Sequence, residues 1–537
     1  MLERVRLLVR SSYLLPIIIG LFCLACLRFA LLQEVWIDES TQLAGISVSP
    51  IKTLQWLAGE DVSRFGVPGD RMPPLSYLAD WLWSKLFGSE PFGFRVFHAS
   101  ILISAIVALT LTVKRRFGGR TAIVFASFVA LSPSLIMTAV EIRSYPIFVA
   151  LTALCLTYFF RLLTEEWRGE TRPLAIFASL CALAIYTHLF ALAMTGAFFL
   201  ALLYAHRSDF QRVRKIFVAG AVVGVASIGI LPFVLASASL SAGHSVTSSF
   251  MDYVEYVIRL VASPQHLVEP ILLGILLLGI GALLSVAIWR LVADRTDKDD
   301  QHMIAQGLVI VVCAGVSVTV FANMVQSTLF TIKSSYSVWL TPIIFLLAAI
   351  GYSTSTPIAV WNRYLRHGFL ALAILGALSV NIIFLIYAQY FVHGPSGQIA
   401  KVVDRAEGRV GVIYVDATTS PYGAFPLQLR YNLALPQFSV IEELGRSRYE
   451  KFEHPKRTPP QQLNMAQLAE YDSLIFVKIK LQPSSEVGAA IKSGAFEIGP
   501  SSVVEEFNRS TDWRLTSTIQ SPGNYAYGIW TFESVAE

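Results

Sequence analysis

The chain has 537 residues, of which 54% are hydrophobic and only 15% are charged. Soluble proteins carry roughly 25% charged residues, so this composition excludes a soluble globular protein, a disordered chain and a disulfide scaffold. The 42 Lys and Arg residues nearly balance the 37 Asp and Glu residues, and this charge pattern does not indicate a nucleic-acid partner. The composition therefore predicts a membrane protein, in which the position of each charge matters more than the sum.

Eleven apolar segments approach the length of a membrane-spanning helix, which needs about 20 mostly apolar residues. The predicted helices are 12–32, 94–113, 121–139, 146–163, 173–187, 189–205, 216–239, 268–289, 303–323, 335–353 and 368–391. Two of these helices are short, and the break between them at Tyr186-Thr187-His188 predicts a tight outer turn. One long helix is the alternative, but about 33 residues exceed the length of one span.

The positive charges before residue 392 predict the orientation of the chain. The segments assigned to the inside hold 19 Lys and Arg residues, whereas everything else before residue 392 holds 9. Because positive residues favour the cytoplasmic side, we predict a multi-pass protein of the inner (cytoplasmic) membrane with its N-terminus in the cytoplasm. Eleven spans then place the C-terminus outside.

Two outer regions are too large to be simple connections. Residues 33–93 contain two apolar and aromatic stretches, Leu43–Leu57 and Pro74–Phe87, which predict helices lying at the membrane interface. Phe250–Ala262, in a smaller outer loop, predicts another. We therefore predict a membrane domain over residues 1–394, with 33–93 as its large outer loop.

The second outer region, residues 395–537, has regular charges and predicts a separate extracytoplasmic α/β domain. Alternating and buried apolar runs predict strands and helices along it. The predicted strands are Gly411–Val415, Ser473–Ile479, Trp513–Thr518 and Tyr525–Phe532, and the predicted helices are Gln398–Ala406, Gln461–Glu470 and Ser485–Lys492.

Two adjacent carboxylates, Asp38 and Glu39, follow the first predicted helix at its outer end. In a helix, neighbouring side chains differ by about 100°, so the two cannot share one target. One could point into a cavity while the other forms a pair. The alternative is that one of them caps the helix that follows.

Three cations lie at predicted outer ends of the bundle, where ionisable groups are costly and therefore informative. Arg71 precedes a double proline, Arg143 lies with Glu141 in a short turn, and Lys333 precedes a late helix. An arginine in such a turn suits the bidentate binding of a phosphate. The alternatives are a solvated Arg71, a local pair between Glu141 and Arg143, and a Lys333 that anchors its helix.

His188 ends the Tyr186-Thr187-His188 turn. A lone histidine at a helix end is more often a hydrogen-bonded turn residue than a metal ligand, and both interpretations stay open. Together, carboxylates and cations on one outer face predict chemistry on a lipid-borne anion and a hydroxyl group.

At these residues the sequence resembles the polytopic glycosyltransferases of the GT-C fold, and most closely the protein O-mannosyltransferase and aminoarabinose-transferase group. The resemblance covers roughly residues 1–390 in order and spacing, and it rests on four motifs. They are the Asp38-Glu39 pair, the Pro73-Pro74-Leu75-Ser76-Tyr77 turn, the Glu141-Ile142-Arg143-Ser144-Tyr145 turn and the Tyr186-Thr187-His188 turn.

The resemblance implies transfer of a sugar from a polyprenyl-phosphate donor to a hydroxyl group of a glycan, lipid or protein, outside the cytoplasmic membrane. No nucleic-acid partner is expected from the charge balance, no cofactor is predicted, and a divalent metal ion is compatible with the resemblance. The alternative function is a non-enzymatic transporter or lipid flippase with an outer sensing domain. Transporters favour charges at the middle of the membrane, whereas the ionisable residues of this chain lie towards one face.

The resemblance also implies roles for site residues. Asp38 corresponds to an essential aspartate and is the expected base of an inverting single displacement, with Glu39 as its partner. The candidates for binding the donor phosphate are Arg143, Lys333, Arg71, Tyr145 and Tyr336, and the remaining candidates are Glu141, His188 and Tyr77. Many relatives have His or Lys where this chain has Met72, so Arg71 is the expected substitute there.

Overall fold

The structure is a computed structural model of the chain. It describes residues 13–60, 70, 72–241, 250–262, 270–293, 300–325, 334–353, 360–388, 394–415, 421–431, 435–439, 461–462, 468, 470–481, 496–521 and 525–535. The chain divides into two compact units. The first comprises 1–30 and 71–385, and the second comprises 31–70 and 386–537.

The chain up to residue 386 is mainly helical wherever the structure describes it. Its α-helices are α1 (Leu14–Leu32), α2 (Ile37–Ile46), α3 (Pro50–Leu57), α4 (Leu75–Phe87), α5 (Pro91–Phe117), α6 (Gly119–Ala130), α7 (Pro133–Val140), α8 (Tyr145–Leu163), α9 (Thr171–Ile185), α10 (Ala191–Ala205), α11 (Phe210–Ser227), α12 (Leu231–Ser241), α13 (Phe250–Val261), α14 (Pro270–Ala293), α15 (Asp300–Val325), α16 (Leu340–Ser353) and α17 (Val360–Ile386). Short 3-10 helices occupy Ile228–Ile230 and Ser334–Ser337.

Seven helical stretches within the described ranges are long and apolar enough to cross a membrane, and the bent pair α6–α7 brings the number to eight. Three shorter apolar helices, α9, α10 and α16, have 14 or 15 residues. Each of the eleven predicted segments overlaps one of these helices or broken pairs. The multi-pass helical class is therefore confirmed, whereas the number of eleven spans stays a prediction.

The break between α6 and α7 has a local cause. Pro133 begins α7, and the Ser132 hydroxyl accepts a hydrogen bond from the Leu135 amide, which satisfies one of the free N–H groups of the new helix. The two helices meet at 70°. This bend directs the C-terminal end of α7 into the turn that contains Arg143.

Close helix contacts in the bundle depend on glycine. A Cβ atom at Gly351 of α16 would lie 2.0 Å from the Leu283 carbonyl oxygen of α14. At Gly376 of α17, it would lie 2.7 Å from the Leu276 Cα atom of α14. Small residues let helix backbones approach closely where the surrounding lipid offers no hydrophobic driving force, so these glycines hold α14 against its neighbours.

Helices are present in the stretches that the sequence predicts to lie at the membrane interface, and their interfacial position stays a prediction. Helix α4 matches Pro74–Phe87, and α13 matches Phe250–Ala262. The stretch Leu43–Leu57 contains the end of α2 and all of α3, which are separated by a break at Ser49. The Ser49 hydroxyl caps α3 by accepting from the Lys52 amide.

The second unit contains a six-stranded mixed sheet. Its elements after residue 394 are α18 (Ser396–Val403), β1 (Val410–Tyr414), α19 (Pro421–Arg430), β2 (Gln437–Ser439), β3 (Gln461–Gln462), β4 (Ser473–Leu481), α20 (Ser502–Arg509), β5 (Trp513–Ser521) and β6 (Tyr525–Ser534). The strand order is β3-β2-β1-β4-β6-β5. Strands β1 to β4 pair in parallel, and β6 joins β4 and β5 antiparallel.

Both faces of the central strand β4 are buried, and this explains its continuous apolar run. Leu474 and Phe476 point to one face, where α20 packs with Phe507, and Ile475 and Val477 point to the other face. Helices α18 and α19 contribute to the second face. The prediction of an α/β domain in the tail is thus confirmed.

The predicted elements of this domain had mixed outcomes. All four predicted strands are present, and α18 overlaps the helix predicted at Gln398–Ala406. The helix predicted at Gln461–Glu470 is wrong at its start, because Gln461 and Gln462 form the edge strand β3. Ser485–Lys492 lies outside the described residues, and α20 was not predicted.

Candidate functional site

The turn between α7 and α8 holds Arg143 in a buried position. It consists of residues 141–144, between the last residue of α7, Val140, and the first residue of α8, Tyr145. Only 4% of Arg143 is exposed, and an Arg that is buried to this extent is normally paired with polar or charged groups. Because the turn is short, a helix fixes the backbone on each side of Arg143.

Aromatic rings from three separate segments meet beside this turn. The Tyr145 ring lies 5.2 Å from the His188 ring and 6.3 Å from the Tyr336 ring, measured between centroids. The Phe148 ring stacks on His188 at 5.0 Å with the ring planes parallel, and Phe190 stacks on Tyr336 at 5.3 Å. The structure therefore brings together Tyr145, His188 and Tyr336, which the sequence analysis had selected from distant parts of the chain.

His188 is a hydrogen-bonded turn residue. Its Nδ1 atom accepts from the Phe190 amide at 3.2 Å, and 2% of the residue is exposed. This contact matches the turn interpretation of the Tyr186-Thr187-His188 motif. No three His, Cys, Asp or Glu side chains come together as a metal ion would require, within the part of the chain that the structure describes.

The double-proline turn joins the same region. The Ser144 hydroxyl donates to the Met72 sulfur at 3.4 Å, and the Leu75 amide donates to the Tyr186 carbonyl at 2.8 Å. Tyr77 on α4 is fully buried. Three of the four motifs that carried the resemblance therefore contact one another in the first unit.

A group of buried ionisable residues that was not predicted from the sequence makes hydrogen bonds to the backbone where the Arg143 turn begins. The His98 Nε2 atom lies 2.7 Å from Asp80 Oδ1, and both side chains are completely buried. His98 Nδ1 lies 2.7 Å from the Glu141 carbonyl oxygen, and the Arg95 guanidinium donates to the Val140 carbonyl at 2.9 Å. We call Asp80, Arg95 and His98 the turn clamp.

The protons of the turn clamp can be assigned from its contacts. A carbonyl oxygen only accepts, so His98 Nδ1 must carry a proton and donate it to Glu141. A second proton lies between His98 Nε2 and the Asp80 carboxyl group, and the pair carries no net charge wherever that proton resides. A neutral, fully hydrogen-bonded pair is what a buried site can hold at low cost.

A sequence signal for the clamp existed. Asp80 lies within the stretch predicted as an interfacial helix, and Arg95 and His98 are three residues apart at the start of a long apolar helix. At that spacing they share one helix face. The acceptors, however, are backbone carbonyls 43 and 45 residues further along the chain, and these leave no trace in the side-chain pattern.

Removing the clamp should loosen the turn. We expect Asp80→Ala to lower the free energy of unfolding by about 1–3 kcal/mol, because the buried Nε2 atom of His98 loses its hydrogen-bond partner. Asp80→Asn can still donate to the Nε2 atom of a neutral His98 and should cost less than half as much. Thermal unfolding in detergent measures both variants. Equal losses in the two would contradict a hydrogen-bonding role for Asp80.

Asp38 and Glu39 lie in the second unit, in the first turn of α2. The helix begins after Trp36, whose carbonyl accepts from the Ser40 amide, so neither carboxylate is the capping residue. Glu39 is fully buried, whereas Asp38 is half-buried. The two side chains therefore have different surroundings, as their spacing predicted. Negative groups in a first turn are stabilised by the helix dipole.

Two of the predicted cations, Arg71 and Lys333, lie outside the described residues. The sequence places Lys333 three residues before Tyr336, and Arg71 directly before Met72. Of these neighbours, Met72 contacts Ser144 and the Tyr336 ring lies near the Tyr145 ring.

An apolar groove of about 470 Å³ runs between α5 and α8 in the first unit. Ile147, Ala150 and Leu151 line it from α8, and Trp83, stacked on Phe97 at 4.6 Å, borders its other side. Because Ile147 lies only two residues after Tyr145, the groove starts one helical turn or less from the Arg143 turn.

The chain is a helical membrane protein with the GT-C fold. ArnT from Cupriavidus metallidurans bound to undecaprenyl phosphate has this fold with a TM-score of 0.56 and 12% identity, over 97% of this chain and 98% of that chain. The apo state of the same protein has a TM-score of 0.54 and 14% identity, over 96% and 97% of the two chains.

In sequence, the profile of the dolichyl-phosphate-mannose-protein mannosyltransferase family matches residues 71–234. This range contains the double-proline turn, the Arg143 turn and the Tyr186-Thr187-His188 turn. A search of curated proteins found no match.

Proposed function

We propose that this protein is a membrane glycosyltransferase that moves a sugar from a polyprenyl-phosphate donor to a hydroxyl group of an acceptor. The observation that carries the proposal is the buried Arg143 in the short turn before Tyr145, whose ring meets those of His188 and Tyr336, in a GT-C fold. The profile match to a family of lipid-phosphate-dependent mannosyltransferases supports the same donor class.

In the proposed reaction, the Asp38 carboxylate accepts the proton of the acceptor hydroxyl group. The hydroxyl oxygen forms a bond to the anomeric carbon of the sugar, while the bond from that carbon to the phosphate oxygen breaks. The electron pair leaves with the lipid phosphate, and the configuration at the anomeric carbon inverts. Glu39, which is fully buried beside Asp38 in the first turn of α2, acts as its orienting partner.

The leaving phosphate gains negative charge as its bond to the sugar breaks, and cations stabilise that charge. We assign this role to Arg143, together with Lys333 and Arg71. In this proposal, Tyr145 and Tyr336 supply hydroxyl groups and aromatic faces to the phosphate site. The apolar groove between α5 and α8 offers a place for the first isoprene units of the donor.

Bound lipid provides the direct test of this proposal. We expect native mass spectrometry of the protein, purified in mild detergent, to detect a polyprenyl phosphate or its glycoside. Added undecaprenyl phosphate should bind wild-type protein, and Arg143→Gln should bind it more weakly. If the protein retains only ordinary membrane phospholipids and does not bind added undecaprenyl phosphate, the proposed donor class is wrong.

Our proposal also places the second unit outside the cytoplasm of an inner membrane. Asn508 is exposed on α20, and Arg207 is exposed after α10, at a predicted inner end. In a chain whose five cysteines are replaced by serine, Asn508→Cys should react with an impermeant thiol reagent on cells with an opened outer envelope. Arg207→Cys should react only after lysis, and the reverse pattern would overturn the orientation.

A further inference from the structure

The chain segment that leads into the Asp38 helix contacts the C-terminal domain. Within the second unit, the Glu34 carboxylate accepts hydrogen bonds from the Gly397 amide and, at 3.3 Å, from the Ser396 hydroxyl. The Ser396 hydroxyl also lies 3.0 Å from the Val35 carbonyl oxygen. Glu34 and Gly397 are 363 residues apart in the chain.

The contact provides a hydrogen-bond acceptor for the N-terminal end of helix α18. The residue that precedes α18 is Pro395, which has no side-chain acceptor for the free N–H groups of the first turn. The Glu34 carboxylate supplies the missing acceptor, and its negative charge lies at the positive end of the helix. This is the chemistry of an N-terminal cap, provided by a residue from the other end of the sequence.

Two further observations extend the contact. Helix α2, which carries Asp38, packs against α19 of the C-terminal domain. Burial chiefly raises the pKa of Tyr527 on β6, a hydrogen bond from Ser521 lowers it, and the nearby Glu34 carboxylate adds to the rise. Residues after 394 therefore contact both the segment that leads into α2 and α2 itself.

We propose that the C-terminal α/β domain positions the Asp38 helix, and that Glu34 is the positioning residue. This inference rests on the proposed function only in assigning Asp38 to the reaction. Only three residues separate Glu34 from Asp38, so release of Glu34 frees the backbone that leads into the first turn of α2. The domain then has a role in transfer without binding the sugar itself.

Glycine substitutions give a matched test. A Cβ atom at Gly397 would lie 2.2 Å from both carboxylate oxygens of Glu34, whereas a Cβ atom at Gly499, in the same domain, has nothing within 4 Å. In the full-length protein in detergent, Glu34→Ala and Gly397→Ala should increase deuterium uptake in residues 37–46. Gly499→Ala should leave that uptake unchanged. Unchanged uptake in both Glu34→Ala and Gly397→Ala would overturn the inference.

Transfer rates complete the test. Glu34→Ala and Gly397→Ala should lower transfer from a polyprenyl-phosphate sugar roughly ten- to hundred-fold, which is the usual effect of a small misplacement of a reacting group. Donor binding should stay normal. Glu34→Gln, which keeps an acceptor oxygen, should lose less, and this variant covers the case in which Glu34→Ala does not fold.

The double variant distinguishes positioning from general destabilisation. Because Gly397→Ala already displaces the carboxylate, Glu34→Ala should add nothing to it, and Glu34→Ala should likewise cost nothing further in an Asp38→Asn chain. Multiplying losses in either pair would overturn the positioning role. A wild-type protein with no transfer activity would instead defeat the proposed function, while the exchange result would still decide whether Glu34 holds α2.

Discussion

Replacing Asp38 by asparagine is expected to lower the rate of sugar transfer by roughly two to four orders of magnitude. Asparagine is nearly isosteric with aspartate but cannot accept the proton of the acceptor hydroxyl group. Because the substitution leaves the shape of the first turn of α2 unchanged, expression and donor binding should stay close to those of the wild type. Single-turnover transfer from a bound polyprenyl-phosphate sugar measures the chemical step, and native mass spectrometry measures the donor.

Two other carboxylates provide controls for this experiment. Glu90→Gln removes an exposed carboxylate at the start of α5 and should change transfer by less than about two-fold. Glu39→Gln should cost more than that but less than Asp38→Asn, because the role proposed for the buried Glu39 is to orient Asp38. An Asp38→Asn protein with near-normal turnover would show that another group accepts the proton.

Much of the fold could be predicted because its signals are local. A membrane requires long apolar helices, and each predicted apolar segment overlaps a helix or a broken pair. In the tail, the continuous apolar run of β4 and the alternation in β6 identified both strands. Helix α20 was missed because it has only eight residues, and its apolar face consists of Val503, Val504 and Phe507. Such a short pattern does not distinguish a helix from a loop.

Elements that depend on distant pairing were harder to predict. Gln461 and Gln462 have no strong preference for a strand, and they form one because Phe438 and Ser439 of β2 pair with them. The division of the first outer loop is similar. Residues 31–70 belong to the unit that contains the C-terminal domain, although 71–93 belong to the bundle. The predicted boundary between residues 394 and 395 follows a change in composition. Composition carries no information on contacts between residues 31–70 and the C-terminal domain.

The candidate site shows the same contrast. Its aromatic and cationic residues lie in short turns between apolar helices, and of these the rings of Tyr145 and His188 meet in the structure. The turn clamp escaped prediction because its main acceptors are backbone carbonyls. Rigid presentation of a binding residue depends on such supporting contacts, which have to be read from the structure.

Replacing Arg143 by lysine is expected to weaken the binding of donor and lower transfer, even though the positive charge is kept. A guanidinium group can donate two parallel hydrogen bonds to one phosphate, and an ammonium group cannot. Each charge-assisted hydrogen bond contributes about 1.5–3 kcal/mol, so we expect a loss of roughly ten- to hundred-fold for Arg143→Lys and a larger loss for Arg143→Gln. Titration with undecaprenyl phosphate and single-turnover transfer measure the two effects.

The alternative is that Arg143 only neutralises Glu141, two residues earlier in the same turn. A double variant separates the two roles, because the His98 contact to this turn uses the Glu141 backbone carbonyl and survives a change of the Glu141 side chain. If Glu141→Gln restores activity to Arg143→Gln, the two side chains form a structural pair, and the phosphate role passes to Lys333 and Arg71. The double variant could instead stay as inactive as Arg143→Gln and also fail to bind undecaprenyl phosphate. Arg143 then holds the donor phosphate directly, because the loss of binding follows the guanidinium group and does not depend on the Glu141 side chain.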